Sequence, residues 1–217
     1  DSAPTYWGNQ TFIGAPAYIG AVVIFLFVLA LFLVKGRFKW WIVGGSILAL
    51  LLSWGDNFAP LTKFFINIVP LYNKFRAVSS IQVVLELCLP VLGILGIREL
   101  FKSSVDQKEK LKALKLSFFV SVGLGIVIFL LKGFFDFEGM RDEMYRGYFG
   151  DELMTMIQRD REAVYVNDTI RSLIYVALAA AVLWFFIKDK INKNISFNLK
   201  SGKPLTNLTR SGDTFSF

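Results

Sequence analysis

Apolar residues along this chain neither alternate in the two-residue rhythm of a half-buried strand nor form the narrow stripe of a surface helix. They come in long blocks set apart by short polar breaks. The blocks cover about 17–34, 38–54, 78–97, 114–131 and 170–187. A helix apolar on every side suits lipid rather than water, and about twenty such residues cross a hydrocarbon core of about 30 Å. The pattern predicts an all-α integral membrane protein with about five transmembrane helices. The second block reaches spanning length only when Phe38 and Trp54 extend it.

Two of the breaks are long enough to hold structure of their own. Between the second and third blocks, "LTKFFINIVP" is apolar but too short to span, which predicts a re-entrant or interfacial helix. Asp56 or Asn57 is placed to cap its start, and Pro60 suits its first turn. Between the fourth and fifth blocks, the break from Lys132 to Thr169 contains "DELMTMIQRDREAVYV". Its spacing of Leu153, Met156, Ile157 and Asp160 predicts a short amphipathic helix outside the membrane. Residues 1–191 read as one transmembrane bundle. Residues 192–217 are rich in Ser, Thr, Asn and Gly and read as a disordered tail.

Composition sharpens the class. Hydrophobic residues make up 54% of the 217, with 22 Phe, more apolar surface than one soluble core of this size can hide. The formal charge of +7 does not point to nucleic acid, because the cations cluster at block ends. Lys35-Gly-Arg-Phe-Lys39, the Arg98–Lys112 linker and Lys188, Lys190 and Lys193 fall on one side if all five blocks span. The positive-inside rule makes that side cytoplasmic, with the N-terminus extracytoplasmic and the C-terminus cytoplasmic. Trp7, Trp40, Trp41, Trp54 and Trp184 sit near block ends, as interfacial belts do. Cys88 is the single Cys and there is no His, so no intrachain disulfide, metal site or cofactor is expected. The chain opens on Asp1 with no basic leader, which suggests an internal piece of a longer polypeptide.

Candidate chemistry gathers at the outer ends of the blocks. In "VPLYNKFRA", Lys74 and Arg76 stand beside Tyr72 and Phe75 on the side where the charge rule disfavours cations. They can snorkel to headgroups, or they can clamp a phosphate, Arg forking onto it and Lys adding a point charge. Glu86 lies about 12 Å down the third block, with Gln82 one turn earlier on the same face and Pro90 one turn later. A carboxylate at that depth is paired with a neighbouring helix, protonated, or functional. In "SWGDNFAP", Asp56 and Asn57 can cap a helix or offer oxygens to a ligand. Gly93-Ile-Leu-Gly96 and Gly123-Leu-Gly125 read as small-residue packing sites.

The blocks "YWGNQTFIGAPAYIG", "LLSWGDNF", "VPLYNKFRAVSS" and "NDTIRSLIYVALAAAVLWFFIKDKI", in that order, resemble the bacterial YfhO-like membrane proteins over roughly residues 5–192. That family is similar to the GT-C glycosyltransferases. The resemblance implies a fragment of a polytopic enzyme of the bacterial cytoplasmic membrane, moving sugar from a polyprenyl-phosphate donor to a cell-envelope acceptor outside. Its implied partners are membrane lipid, the lipid-linked sugar and the rest of the parent protein. The implied roles are donor phosphate binding by Lys74 and Arg76, orientation of that clamp by Gln82 and Glu86, and contact with sugar or acceptor by Trp54, Asp56, Asn57 and Tyr72. The family's catalytic acid is expected in a loop preceding this stretch, and residues 193–217 depart from the family pattern. A lipid transporter or flippase, or a non-catalytic membrane scaffold, fits the same residues as an alternative.

Overall fold

The computed structural model describes residues 18–70, 78–102, 104–139 and 142–188. The readings for residues 192–217, Trp7, Lys190 and Lys193 lie outside them. The described residues form helices and their connections: α1 (Ala21–Leu33), α2 (Arg37–Ser53), α3 (Ala59–Ile68), α4 (Gln82–Phe101), α5 (Gln107–Leu131) and α6 (Asp142–Ile187). Single 3-10 turns occupy Gly55–Phe58, Val78–Ile81 and Lys132–Phe134.

Helix α1 is the hub, packed against α4, α5 and α6, while α2 packs chiefly on α4. Phe25, Leu29 and Leu33 of α1 meet Leu100 of α4, Ala113 and Leu114 of α5, and Val176, Ala180 and Ile187 of α6 in one core. A second seam joins Ala30 of α1 to Ile42 of α2 and Leu92 of α4. Small residues let α1 and α4 come close. A Cβ on Gly96 would lie 2.7 Å from the Ala30 Cβ, and one on Gly93 would lie 3.3 Å from the Leu26 Cβ. The Gly93–Gly96 pair is thus a packing site, as its spacing suggests. Gly125 presses on Leu173 in the same manner, whereas Gly123 has open space beside it.

The helices run alternately between two ends. At one end Lys35 pairs with Glu109 at 2.8 Å, and Gln107 Nε2 donates to the Ile187 carbonyl at 2.8 Å. That end therefore gathers the α1–α2 turn, the start of α5 and the end of α6, with the basic linkers they carry. The hydrogen bond and charge of Glu109 raise the Lys35 pKa. At the opposite end the Tyr165 hydroxyl donates to the Ile128 carbonyl at 2.5 Å, and Lys132 pairs with Glu162 at 2.6 Å.

Two helical stretches, Gln107–Phe134 and Gly150–Ile187, are long and apolar enough to cross a membrane. Helix α1 is apolar but only 13 residues long, and α2 has 17. Helix α4 has 20 residues and runs through Pro90, with Glu86, Arg98 and Glu99 interrupting its apolar run. The stretch "LTKFFINIVP" does fold as a helix: α3 has Pro60 in its first turn, Phe58 at its N-cap position, and Phe64, Ile66 and Ile68 exposed. Thr62 Oγ1 donates to the Gly55 carbonyl at 2.8 Å and ties α3 to the turn before it.

One expectation is corrected. The segment after Gly150 is not a separate short helix; it continues without a break into the fifth apolar block as far as Ile187. No Gly or Pro lies between Asp151 and Ile187 to interrupt the backbone hydrogen bonds. The break falls earlier, at Gly150, whose φ of 81° only glycine adopts readily. The predicted stripe also differs: Leu153 and Met156 are exposed, and Met154 is buried instead.

Candidate functional site

The sequence-derived candidates divide by what surrounds them. Tyr72, Lys74 and Arg76 lie outside the described residues. Asp56 and Asn57 fall in the turn Gly55–Phe58, between α2 and α3, and their side chains lie outside the description too. Trp54 ends α2, is exposed, and meets the Phe58 ring edge-on at 6.4 Å. Gln82 is half-buried at the start of α4, and Glu86 is exposed one turn later. Contacts of the Val78–Ile81 turn with α2 place the start of α4 near the α2–α3 corner. Trp54, Gln82 and Glu86 therefore share the bundle end opposite the basic linkers.

At that same end the structure builds two features the sequence reading did not single out. The first is a clasp. The Arg161 guanidinium forks onto Asp142, Nη1 to Oδ2 at 2.6 Å and Nη2 to Oδ1 at 2.9 Å, and Nη1 also donates to the Phe137 carbonyl at 2.8 Å. Asp142 Oδ2 accepts the Gly139 N–H at 2.8 Å. Both side chains are buried, Arg161 being 2% and Asp142 5% exposed. Burial pushes the Asp142 carboxyl up. The hydrogen bonds from Arg161 and Gly139 and the charges of Arg161 and Arg146 outweigh it and hold the carboxyl below its usual range. Phe137 takes a φ of 52°, rare for a side-chain-bearing residue, and packs with Phe135 and Tyr165 in an edge-to-face cluster. The clasp thus straps the 132–139 segment, together with Asp142, onto the part of α6 that follows Gly150.

The second feature is a cleft of about 550 Å³ between the start of α1 and the facing sides of α5 and α6. It lies beside residues 18–24, where the chain enters α1, and reaches along α5 and α6 to Ile128 and Tyr165, whose hydrogen bond joins the two helices. Ile24, Leu124, Ile128, Leu173 and Val176 give it apolar walls. Polar groups come from Ser121 of α5 and from Asp168, Thr169 and Ser172 of α6. Thr169 donates to the Tyr165 carbonyl at 2.8 Å and Asp168 pairs with Arg171, so both are engaged. Ser121 is different. It is 8% exposed, and its Oγ is buried with no hydrogen-bond partner among the described residues. Ser117, one turn earlier on α5, does donate back to its helix, at 2.6 Å to the Ala113 carbonyl.

A faint signal for both features was present in the sequence. Met154, Ile157, Arg161, Tyr165, Thr169, Leu173, Val176 and Ala180 keep three- and four-residue spacing over the whole of α6. Arg161 and Thr169 look like solvent-facing residues and mask that stripe. Among the described residues no cluster of three or more His, Cys, Asp or Glu side chains can hold a metal. No protein-family model matches the chain, and neither a curated protein nor a solved structure matches it.

Proposed function

We propose that the chain is a five-pass section of a polytopic glycosyltransferase of the bacterial cytoplasmic membrane, using a polyprenyl-phosphate-linked sugar on the extracytoplasmic side. The passes are α1, α2, α4, α5 and α6, and α3 lies in the outer interface. The observation that carries the membrane placement is the apolar surface left open along the helices. Val83, Leu87, Val91 and Ile94 on α4, Phe119, Val127 and Leu130 on α5, and Ile174, Leu178 and Val182 on α6 are all exposed. A soluble protein rarely leaves contiguous apolar surface on that scale. Collection of the basic linkers at one end supports the same orientation as the charge rule. The reaction rests on the resemblance of the four sequence blocks. In this reading Lys74 and Arg76 hold the donor phosphate and stabilise the charge that builds on the leaving group. Gln82 and Glu86 support them from α4, and the Trp54–Asn57 corner meets the sugar or the acceptor.

Two experiments test this reading at its two levels. For topology, single cysteines replace Lys35 and Glu138 in turn, in a Cys88→Ser background. A membrane-impermeant maleimide should label the Glu138 position in intact cells and the Lys35 position only after permeabilisation. Labelling of both from the same side would rule out the five-pass arrangement. For the reaction, Lys74→Ala/Arg76→Ala is made in the full-length parent, and sugar transfer from a polyprenyl-phosphate donor is followed in membranes. Transfer should fall by about a hundredfold or more. Unchanged transfer at equal protein level would leave headgroup snorkelling as the role of both cations.

A further inference from the structure

The lysines near the start of α5 are of two kinds. Lys110 serves the α4–α5 link, its Nζ donating to the Lys102 carbonyl at 2.6 Å. Lys108, Lys112 and Lys115 are exposed, and none of them makes an ion pair or hydrogen bond among the described residues. Their spacing of four and three residues puts them on one face of the helix. That face is opposite the core, since Ala113, Leu114 and Ser117 are buried. Phe119, Ile126 and Leu130 continue it at helical spacing and are exposed too. One stripe of α5 is therefore basic for its first 10 Å or so, about two turns, and apolar from there to its end. Such a stripe is costly without an anion. Like charges three and four residues apart repel, and Lys108 stands in the first turn, where the helix dipole disfavours a cation. The carboxylates close by are engaged, Glu109 with Lys35 and Glu99 with Lys102. Asp106 precedes the helix, and α5 has no acidic residue after Glu109.

We propose that Lys112 and Lys115 hold the phosphate of an anionic phospholipid in the leaflet at the basic end of the bundle. Lys108 lies beside the outer part of its headgroup, and its acyl chains run along Phe119, Ile126 and Leu130. Lys115 stands at the edge of the apolar block, and helical side chains lean toward the N-terminus of their helix, so it reaches back to the level of Lys112. A headgroup that carries an ammonium would bring it against Lys108, whereas a glycerol headgroup brings no cation. The apolar continuation of the stripe favours a lipid over a soluble phosphate, because only a lipid has chains to lay on it. The inference rests on the membrane placement of α5 and is independent of the sugar-transfer reaction.

The test is native mass spectrometry of the purified chain in mild detergent, with phosphatidylglycerol and phosphatidylethanolamine of identical acyl chains. Phosphatidylglycerol should be retained roughly twentyfold more strongly. Lys112→Gln and Lys115→Gln should each reduce that preference roughly fivefold, and the double variant should remove most of it. The charge-matched control Arg37→Gln/Arg98→Gln takes two exposed cations from α2 and α4 at the same end. It should leave the preference within about twofold of the parent, because more distant charges are screened. Equal retention of the two lipids by the unaltered chain would overturn the headgroup assignment without any variant. Equal losses in the α5 double variant and the control would overturn the location. Glycerol phosphate bound as strongly as phosphatidylglycerol would overturn the choice of a lipid. Retention of neither lipid would overturn the inference together with the membrane placement of α5.

Discussion

At the residue scale the best-defined interaction is the Arg161–Asp142 pair. A buried, bidentate ion pair does not by itself add much stability, because both charges were desolvated to make it. Breaking it from one side is different, since the remaining charge stays buried and unpaired. Asp142→Asn and Arg161→Ala should each loosen the 132–139 strap by about 3–5 kcal/mol. Limited proteolysis in nanodiscs, with cleavage followed inside the strap, reads this directly; cleavage no faster than in the parent chain would mean the clasp does not hold the strap. The pH dependence has a definite sign. The Asp142 carboxyl is held below its usual range in the fold, so its contribution is fully present above the unfolded value of about 3.9. It is lost as pH falls through the lower folded value. Acid should therefore release the strap only below about pH 4, and Asp142→Asn should abolish that acid step. This residue pair was illegible in the sequence because polarity normally marks exposure. Placed on a helix among Met154, Ile157 and Tyr165, Arg161 occupies a core position, and a reading that assigns charged residues to solvent shifts the stripe to Leu153 and Met156.

At the scale of elements the long apolar blocks were legible. Helices α1, α2, α4 and α5 overlap the blocks expected, and α3 overlaps the short apolar stretch before "VPLYNKFRA". Block length alone cannot show where a helix ends when charged residues continue its pattern, and so the sequence pattern divides α6 into two pieces. Helix contact is where small residues act. Ala gains up to about 1 kcal/mol over Gly in a helix interior. At Gly96 the added Cβ would lie 2.7 Å from the Ala30 Cβ and 3.0 Å from its Cα, and overpacking costs about 1–3 kcal/mol. The clash wins because backbone cannot swing aside. Gly96→Ala should lower the thermal midpoint in detergent, while Gly44→Ala, with no atom within 4 Å of the new Cβ, should hold or raise it. A rise for both would mean that α1 and α4 are not tightly packed.

At the scale of the whole molecule, one bundle carries two unlike ends. The end with Lys35, Gln107 and Ile187 is closed by short links. The other carries the α2–α3 corner, the cleft and the strap. The cleft shows why a site of this kind cannot be read from residue types. Ser121, Gly20 and Leu173 carry no motif, and only the packing of α1 against α5 and α6 brings them to one cleft. The same reasoning gives the unbroken helix from Gly150 to Ile187 a role as a gauge. Its 38 residues make a rod of about 57 Å, against a hydrocarbon thickness of about 30 Å. Under the five-pass proposal its surplus stands above the bilayer surface like a mast and fixes the height at which Arg161 grips the strap. Each added residue lifts that grip by about 1.5 Å and turns it by about 100°. Changes in the mast's length would thus be felt as rotation before they were felt as reach.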